Sequence, residues 1–167
     1  GMFYNVDMFA DAGIAPPTST AEAWTVDEAR DYWKQLEVRE SPDAIPTVWG
    51  IGGRGDTVVA RGTYHGMSWI RSAGEKGDDT FMGMSPDGTT VDGYLNTPDA
   101  LAAFQTMQDI IFVDKLSPIE GIPDMFPSGL SATQEWSTGY MSYLMGNFPD
   151  LKWGLGPLPY FKTGITH

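Results

Sequence analysis

The sequence predicts one α/β unit in which amphipathic helices alternate with short, buried strands. Three observations carry that expectation. Helix-start signals recur along the chain, at Asn5, at Thr25 with Glu28, and at Thr97-Pro98-Asp99. Between and after them lie short runs of strand length, at 45–51, 131–135 and 153–156, with Gly or Pro close by. Helices that alternate with strands build a layered α/β fold rather than separate all-α and all-β parts.

The elements follow in order. The first helix is expected over 5–12, with Asn5 as N-cap, Val6, Met8, Phe9 and Ala12 along it, and Gly13 as its stop. A loop leads to Thr25-Val26-Asp27-Glu28, where Thr25 can cap the backbone and Glu28 can reach back to it. This second helix carries Ala29, Tyr32, Trp33 and Leu36 on one face and ends near Glu37. The run 45–51 is almost continuously apolar, as a strand covered on both faces would be. It leads into Gly52-Gly53-Arg54-Gly55-Asp56, a glycine-rich turn, and then a third helix over 57–73. Gly62 and Gly66 weaken that helix, and Gly66 suits close packing. Residues 74–95 read as irregular, with 84–91 as a turn between two short strands. The next helix runs over 97–113 with Leu101, Phe104, either Met107 or Gln108, and Ile111 along it. A helical turn at 123–129, a strand at 131–135 and a helix at 137–146 with Tyr140, Met141 and Leu144 inward complete the unit. A last strand, 153–156, precedes Pro157, and the sequence contains no internal repeat.

Composition narrows the function classes. A length of 167 residues accommodates one domain with a substantial core. Six Trp, seven Tyr and eight Phe within 41% hydrophobic content mark a folded chain. The net charge is −12, and the ten basic residues are scattered. Nucleic acid and anionic membrane surfaces need a basic stripe, so both are poor partners. The absence of cysteine rules out disulfides and thiolate metal sites. No apolar run approaches the roughly 20 residues of a membrane span.

Several segments, taken in order, carry a resemblance. Tyr4-Asn5-Val6-Asp7-Met8-Phe9-Ala10-Asp11-Ala12-Gly13-Ile14, followed by Pro16-Pro17, and then Trp24 to Glu28, form one phrase. Leu95 to Val113 forms a second, and Phe126, Gly129 and Ala132 a third. Trp153-Gly154-Leu155-Gly156-Pro157-Leu158-Pro159 closes the set. Together they resemble the extracellular solute-binding proteins of ABC transporters, the group that captures sugars and oligosaccharides. The match is imperfect: Leu130 stands at the family's Lys and Thr133 at its Met. The resemblance implies a periplasmic-binding-protein-like lobe of type II, with a short mixed sheet flanked by helices. It also implies that residues 1–167 form a single lobe of a two-lobed protein, with both ends near the crossings between lobes. A lobe alone holds half of a cleft, so weak or no binding is expected of the isolated chain.

Candidate ligand-binding residues fall in two groups. Gly53, Arg54 and Asp56 lie in a turn between a strand and a helix, where ligands of α/β folds bind. Glycines allow close backbone approach, and Arg54 with Asp56 suits the paired hydrogen bonds of a sugar diol. The competing reading is a plain turn in which Asp56 caps a helix. Trp49, just before this turn, suits either the cleft or the core. The second group is Glu135, Trp136, Ser137 and Tyr140. The family places a Gly-x-Trp here; by counting, Ser137 falls at its Gly and Gly139 at its Trp, so the direct match fails. Trp136 and Tyr140 flank that point and can offer an aromatic plate to the C–H face of a sugar. Trp136 as a core residue is the alternative. Trp69, Trp24, Trp33 and Trp153 are read as packing. The acidic stretch from Asp78-Asp79 to Asp92 lacks the spacing of a calcium loop and reads as solvated surface. His65 and His167 form no metal pair.

The leading function is therefore a non-enzymatic one. It is the substrate-binding component of an ABC transporter, a monomer that captures a carbohydrate and delivers it to the transporter's membrane subunits. The resemblance implies a periplasmic or other extracytoplasmic location, including a lipoprotein form. No cofactor and no metal is expected. Two alternatives come from other classes. A glycoside hydrolase would need two positioned carboxyl groups, and Glu135 with Asp56 is the pair on offer. An adhesion module would use the Arg54-Gly55-Asp56 tripeptide.

Overall fold

The computed structural model describes residues 1–53 and 66–163. Arg54, Asp56 and the first part of the helix expected over 57–73 lie outside the described residues. Four strands form one mixed sheet in the order β2-β3-β1-β4. They are β1 (Met2–Asn5), β2 (Trp49–Gly52), β3 (Ser131–Glu135) and β4 (Trp153–Gly156). β2 and β3 run parallel, and β1 lies antiparallel between β3 and β4.

β1 was not legible as a strand, yet it is central. It is only four residues long, too short to display a period, and it runs directly into α1 (Val6–Ala12). Its Met2 and Phe3 are fully buried, Met2 in the large core and Phe3 in a smaller one on the other face. Asn5 ends the strand and caps α1, accepting from the Asp7 and Met8 amides at 3.1 Å. Gly13 closes α1 in the left-handed conformation, at φ 68°.

α2 (Val26–Leu36) starts on the reciprocal cap that the sequence announces. The Glu28 amide donates to Thr25 Oγ1 at 3.2 Å, and the Thr25 amide donates to Glu28 Oε2 at 2.8 Å. Its face of Val26, Ala29, Trp33 and Leu36 is buried. β2 is shorter than the apolar run suggests. Thr47 and Val48 donate to the Val38 carbonyl instead of joining the sheet, and Ile45 is 80% exposed. Pro46 has no amide to give to a ladder, which shortens the strand from that side.

The described part of α3 is Gly66–Ser72. A Cβ on Gly66 would lie 2.8 Å from Met107 Cε, so the glycine permits the close approach of α3 to α5 (Pro98–Phe112). Trp69 of α3 stacks parallel to Trp33 at 6.0 Å. Residues 74–95 form turns and a single-turn helix, α4 (Asp79–Met82), rather than two short strands. Polar side chains bend this segment: Ser85 Oγ accepts from the Thr89 and Thr90 amides, and Asp78 caps α4. α5 begins on Thr97 and Pro98 as expected, but its buried face is Ala100, Ala103, Met107, Ile110 and Ile111. Leu101 and Phe104 point outward, because the two alanines let the helix settle closer on that side.

The sheet separates two cores. The larger includes Phe9, Trp24, Trp33, Trp69, Ile70 and Ile110. The smaller is built on Phe3, Phe126 and Leu144, the last from α6 (Gly139–Asn147). Trp136, Tyr140 and Trp153 pack partly against it.

Candidate functional site

β2 and β3 are parallel, so their carboxyl ends lie side by side at Gly52 and Gln134. An open cleft of about 760 Å³ lies at that edge. This is the end of a parallel pair where α/β folds bind ligands, and the volume is that of a small-molecule site. Gly53 and Gln134 line it from the strand ends, and Trp136, Tyr140 and Tyr143 from the segment that follows β3. The turn from Gly121 to Met125 supplies a further wall.

Three aromatic rings run along the cleft. Trp136 and Tyr140 are 5.5 Å apart and tilted by 41°, and Tyr140 stacks on Tyr143 at 5.7 Å and 13°. Tyr140 also meets Phe3 edge-on at 5.2 Å, which roots the run in the smaller core. The Tyr143 hydroxyl donates to Asp124 Oδ1 at 2.7 Å, and the Asp124 carboxylate raises the Tyr143 pKa by holding its proton. Asp124 sits at φ 51°, and its carbonyl accepts from the Ser128 amide at 2.9 Å. A Cβ on Gly53 would collide with Ser117 Oγ, so any larger residue there forces the serine hydroxyl to move. That same Ser117 Oγ is buried without a hydrogen-bond partner among the described residues.

Strand alternation sorts the sequence-named residues. Paired residues on adjacent strands share a face, and successive residues alternate. Gln134 pairs with Phe3, whereas Glu135 pairs with Met2. Gln134 therefore shares the face of the smaller core and the cleft, and Glu135 faces the larger core. Its Oε1 is enclosed there without a hydrogen-bond partner among the described residues, although the residue as a whole is only half-buried. Burial pushes the Glu135 carboxyl up to about 7. The Gly1 ammonium opposes this by attraction, and the Trp69 indole opposes it more weakly, without reaching hydrogen-bond geometry.

Of the sequence-named residues, the structure brings Gly53, Trp136 and Tyr140 together around the cleft. Trp49 stands at the opposite end of β2, paired with Ser131, and is not part of the lining. Ser137 is exposed and not part of it either; its carbonyl accepts from the Tyr140 amide at 3.0 Å. Trp24, Trp33 and Trp69 are buried. Sequence reasoning missed Gln134, Asp124 and Tyr143. Gln134 was findable by alternation from Trp136, and Tyr143 by its helical spacing from Tyr140. Asp124 lies in an irregular turn and leaves no such signal. Among the described residues, no group of three or more His, Asp or Glu could hold a metal ion. Also among them, no helix is long and apolar enough to cross a membrane.

No family model and no curated protein matches the sequence. Solved structures do match. An ABC substrate-binding protein from Listeria monocytogenes, in complex with cycloalternan, superposes with a TM-score of 0.67 at 20% identity, over 97% of this chain and 37% of its own. An ABC transporter solute-binding protein from Thermotoga lettingae, bound with α-D-tagatose, gives a TM-score of 0.72 at 19% identity, over 98% and 39%. A Mycobacterium tuberculosis protein, UgpB, in complex with glycerophosphocholine, gives 0.62 at 19% identity, over 96% and 36%. The chain thus has the fold of part of these binding proteins and spans less than half of their length.

Proposed function

We propose that this chain forms one lobe of the substrate-binding component of an ABC transporter, and that its cleft takes a carbohydrate. The observation that carries the reading is the aromatic run Trp136, Tyr140 and Tyr143 at the carboxyl ends of a parallel strand pair. Flat aromatic faces suit the C–H face of a sugar ring, and Gln134 and Asp124 are placed to exchange hydrogen bonds with its hydroxyls. The fold shared with proteins that hold cycloalternan and tagatose supports the same reading.

In this reading the protein performs no chemistry. The described lining holds one carboxyl group, Asp124, whereas glycoside hydrolysis uses two. A second lobe closes over the solute by hinge bending, and the closed monomer docks on the transporter's membrane subunits outside the cytoplasm, either free or lipid-anchored. Gly53, Trp136 and Tyr140 contact the solute directly, while Arg54 and Asp56 follow Gly53 in the sequence.

The test is calorimetry of the full-length protein containing this chain, against tagatose, maltotriose, stachyose and glycerophosphocholine. Binding of a sugar, lost by tenfold or more in Trp136→Ala with the melting temperature kept within a few degrees, is the expected result. Binding of glycerophosphocholine alone would remove the carbohydrate assignment and leave a binding protein for another solute.

A further inference from the structure

We infer that Phe3, a fully buried residue of β1 outside the cleft lining, is the positioning residue of the aromatic wall: it fixes the ring of Tyr140 and, through that ring, the affinity for solute. The inference rests on the carbohydrate reading above and adds to it a residue that binding depends on without touching the solute. Tyr140 needs such support because of where it stands. α1, α2, α4 and α5 each start on a side chain that accepts from the backbone, namely Asn5, Thr25, Asp78 and Thr97. α6 starts differently. Thr138 stands at its N-cap with helical backbone, φ −60° and ψ −22°, and makes no side-chain cap bond. The Tyr140 and Met141 amides donate instead to the Ser137 and Thr138 carbonyls, at 3.0 and 3.1 Å. Such three-residue closures have poorer geometry than α-helical bonds. Ser137, Thr138 and Gly139 are exposed, so packing adds little to the turn that carries Tyr140.

What holds the ring comes from the sheet. Phe3 meets Tyr140 at 5.2 Å and 87°, the edge-to-face geometry that aromatic pairs prefer. The place of Phe3 is itself rigid. β1 is paired on both sides, with Phe3 between Gln134 of β3 and Leu155 of β4, and Trp153 lies 5.6 Å from the same ring. Phe126, from the same small core, reaches Tyr140 less closely, at 6.4 Å. Tyr140 is the middle member of the run, 5.5 Å from Trp136 and 5.7 Å from Tyr143, so a shift of its ring breaks the surface offered to a sugar at its centre. Without the Phe3 contact the Tyr140 ring visits other rotamers, and apparent affinity falls with the fraction of time it spends in the binding position. An edge-to-face pair is strong enough to change that population by about two- to tenfold.

The experiment is a double-mutant cycle on sugar affinity in the full-length protein, measured by calorimetry with the tightest binder among tagatose, maltotriose and stachyose. Phe3→Leu is expected to weaken binding by about two- to tenfold. Phe3→Met, closer in volume and also without a ring, is expected to show the same loss and serves where Phe3→Leu folds poorly. Tyr140→Leu weakens binding by more. In Phe3→Leu/Tyr140→Leu the affinity is expected to match that of Tyr140→Leu within about twofold, because Phe3 then has no ring to hold. Ile110→Val, in the larger core, is expected to lower the melting temperature and leave affinity unchanged, which separates positioning from stability. Unchanged affinity in the Phe3 variants, additive losses in the double variant, or an equal loss in Ile110→Val overturns the inference and leaves the carbohydrate reading standing. A wild type that binds none of these sugars overturns both.

Discussion

Glu135 gives the sharpest test of the fold, because its carboxyl is held near the wrong side of neutrality. Its pKa is raised from 4.5 to about 7, first by burial. Between those two values the folded protein keeps a proton that the unfolded chain has released. The stabilising contribution is therefore complete below about pH 4.5, falls as pH rises toward 7, and is gone above it. At 1.36 kcal/mol per pH unit, the interval amounts to roughly 3 kcal/mol. Water reaches part of the half-buried side chain, so that figure is a ceiling and about 1–3 kcal/mol is expected. Glu135→Gln has no proton to lose. Its stability relative to wild type should rise by that amount between pH 4.5 and 7 and stay level beyond. Urea unfolding followed by tryptophan fluorescence, in steps from pH 4.5 to 8, measures the difference, and the other titrating groups largely cancel in it. Parallel pH profiles for the two proteins would refute the reasoning, since they would mean that the carboxylate is solvated or paired in the fold.

Two further outcomes test the scaffold. Gly53→Ala puts a methyl against Ser117 Oγ and should cost about 1–3 kcal/mol in chemical denaturation, with partial recovery in Gly53→Ala/Ser117→Gly. Thr25→Ala removes one side of the reciprocal cap on α2 and should lower stability by about 1 kcal/mol in the same assay, leaving sugar binding unchanged.

Helices with explicit caps were legible from the sequence, and those with hidden neighbours were not. Asn5, Thr25 and Thr97 each announced a helix start, because a cap is a local hydrogen-bond arrangement written in adjacent residues. β3 and β4 were legible as short runs of strand length close to turn residues. β1 was not, because Met2–Asn5 is defined by its two partners, β3 and β4, which come more than a hundred residues later. The rotation of α5 was hidden for a related reason. Leu101 and Phe104 are the larger apolar residues, but burial went to Ala100 and Ala103, which tolerate closer packing. At the cleft, Trp136 and Tyr140 stood out by type, and the resemblance pointed to their neighbourhood. Glu135 and Gln134 were separable only by a strand register that the sequence does not state. Asp124 depends on a backbone turn with φ 51°, whose position beside Tyr143 is a property of the fold alone.

The register also explains how one short strand serves two tasks. β3 sends Glu135 toward the large core and Gln134 toward the cleft, and the chain then leaves the sheet as Trp136. A slip of one residue would exchange these roles, placing a carboxyl in the cleft and an amide against the Trp69 side. What prevents the slip is on the neighbouring strands. Phe3 opposite Gln134 is fully buried in the smaller core, and Met2 opposite Glu135 is fully buried in the larger. β1 could follow such a slip only by exchanging these two large buried side chains between unequal cores, which neither core would accommodate. The same Phe3 meets Tyr140 edge-on and lies 5.6 Å from Trp153 of β4, so the ring that fixes the register also supports the aromatic wall. The binding surface is thus carried by rigid strand ends and a small dedicated core, while the larger core, with its four helices, supplies stability on the far side of the sheet.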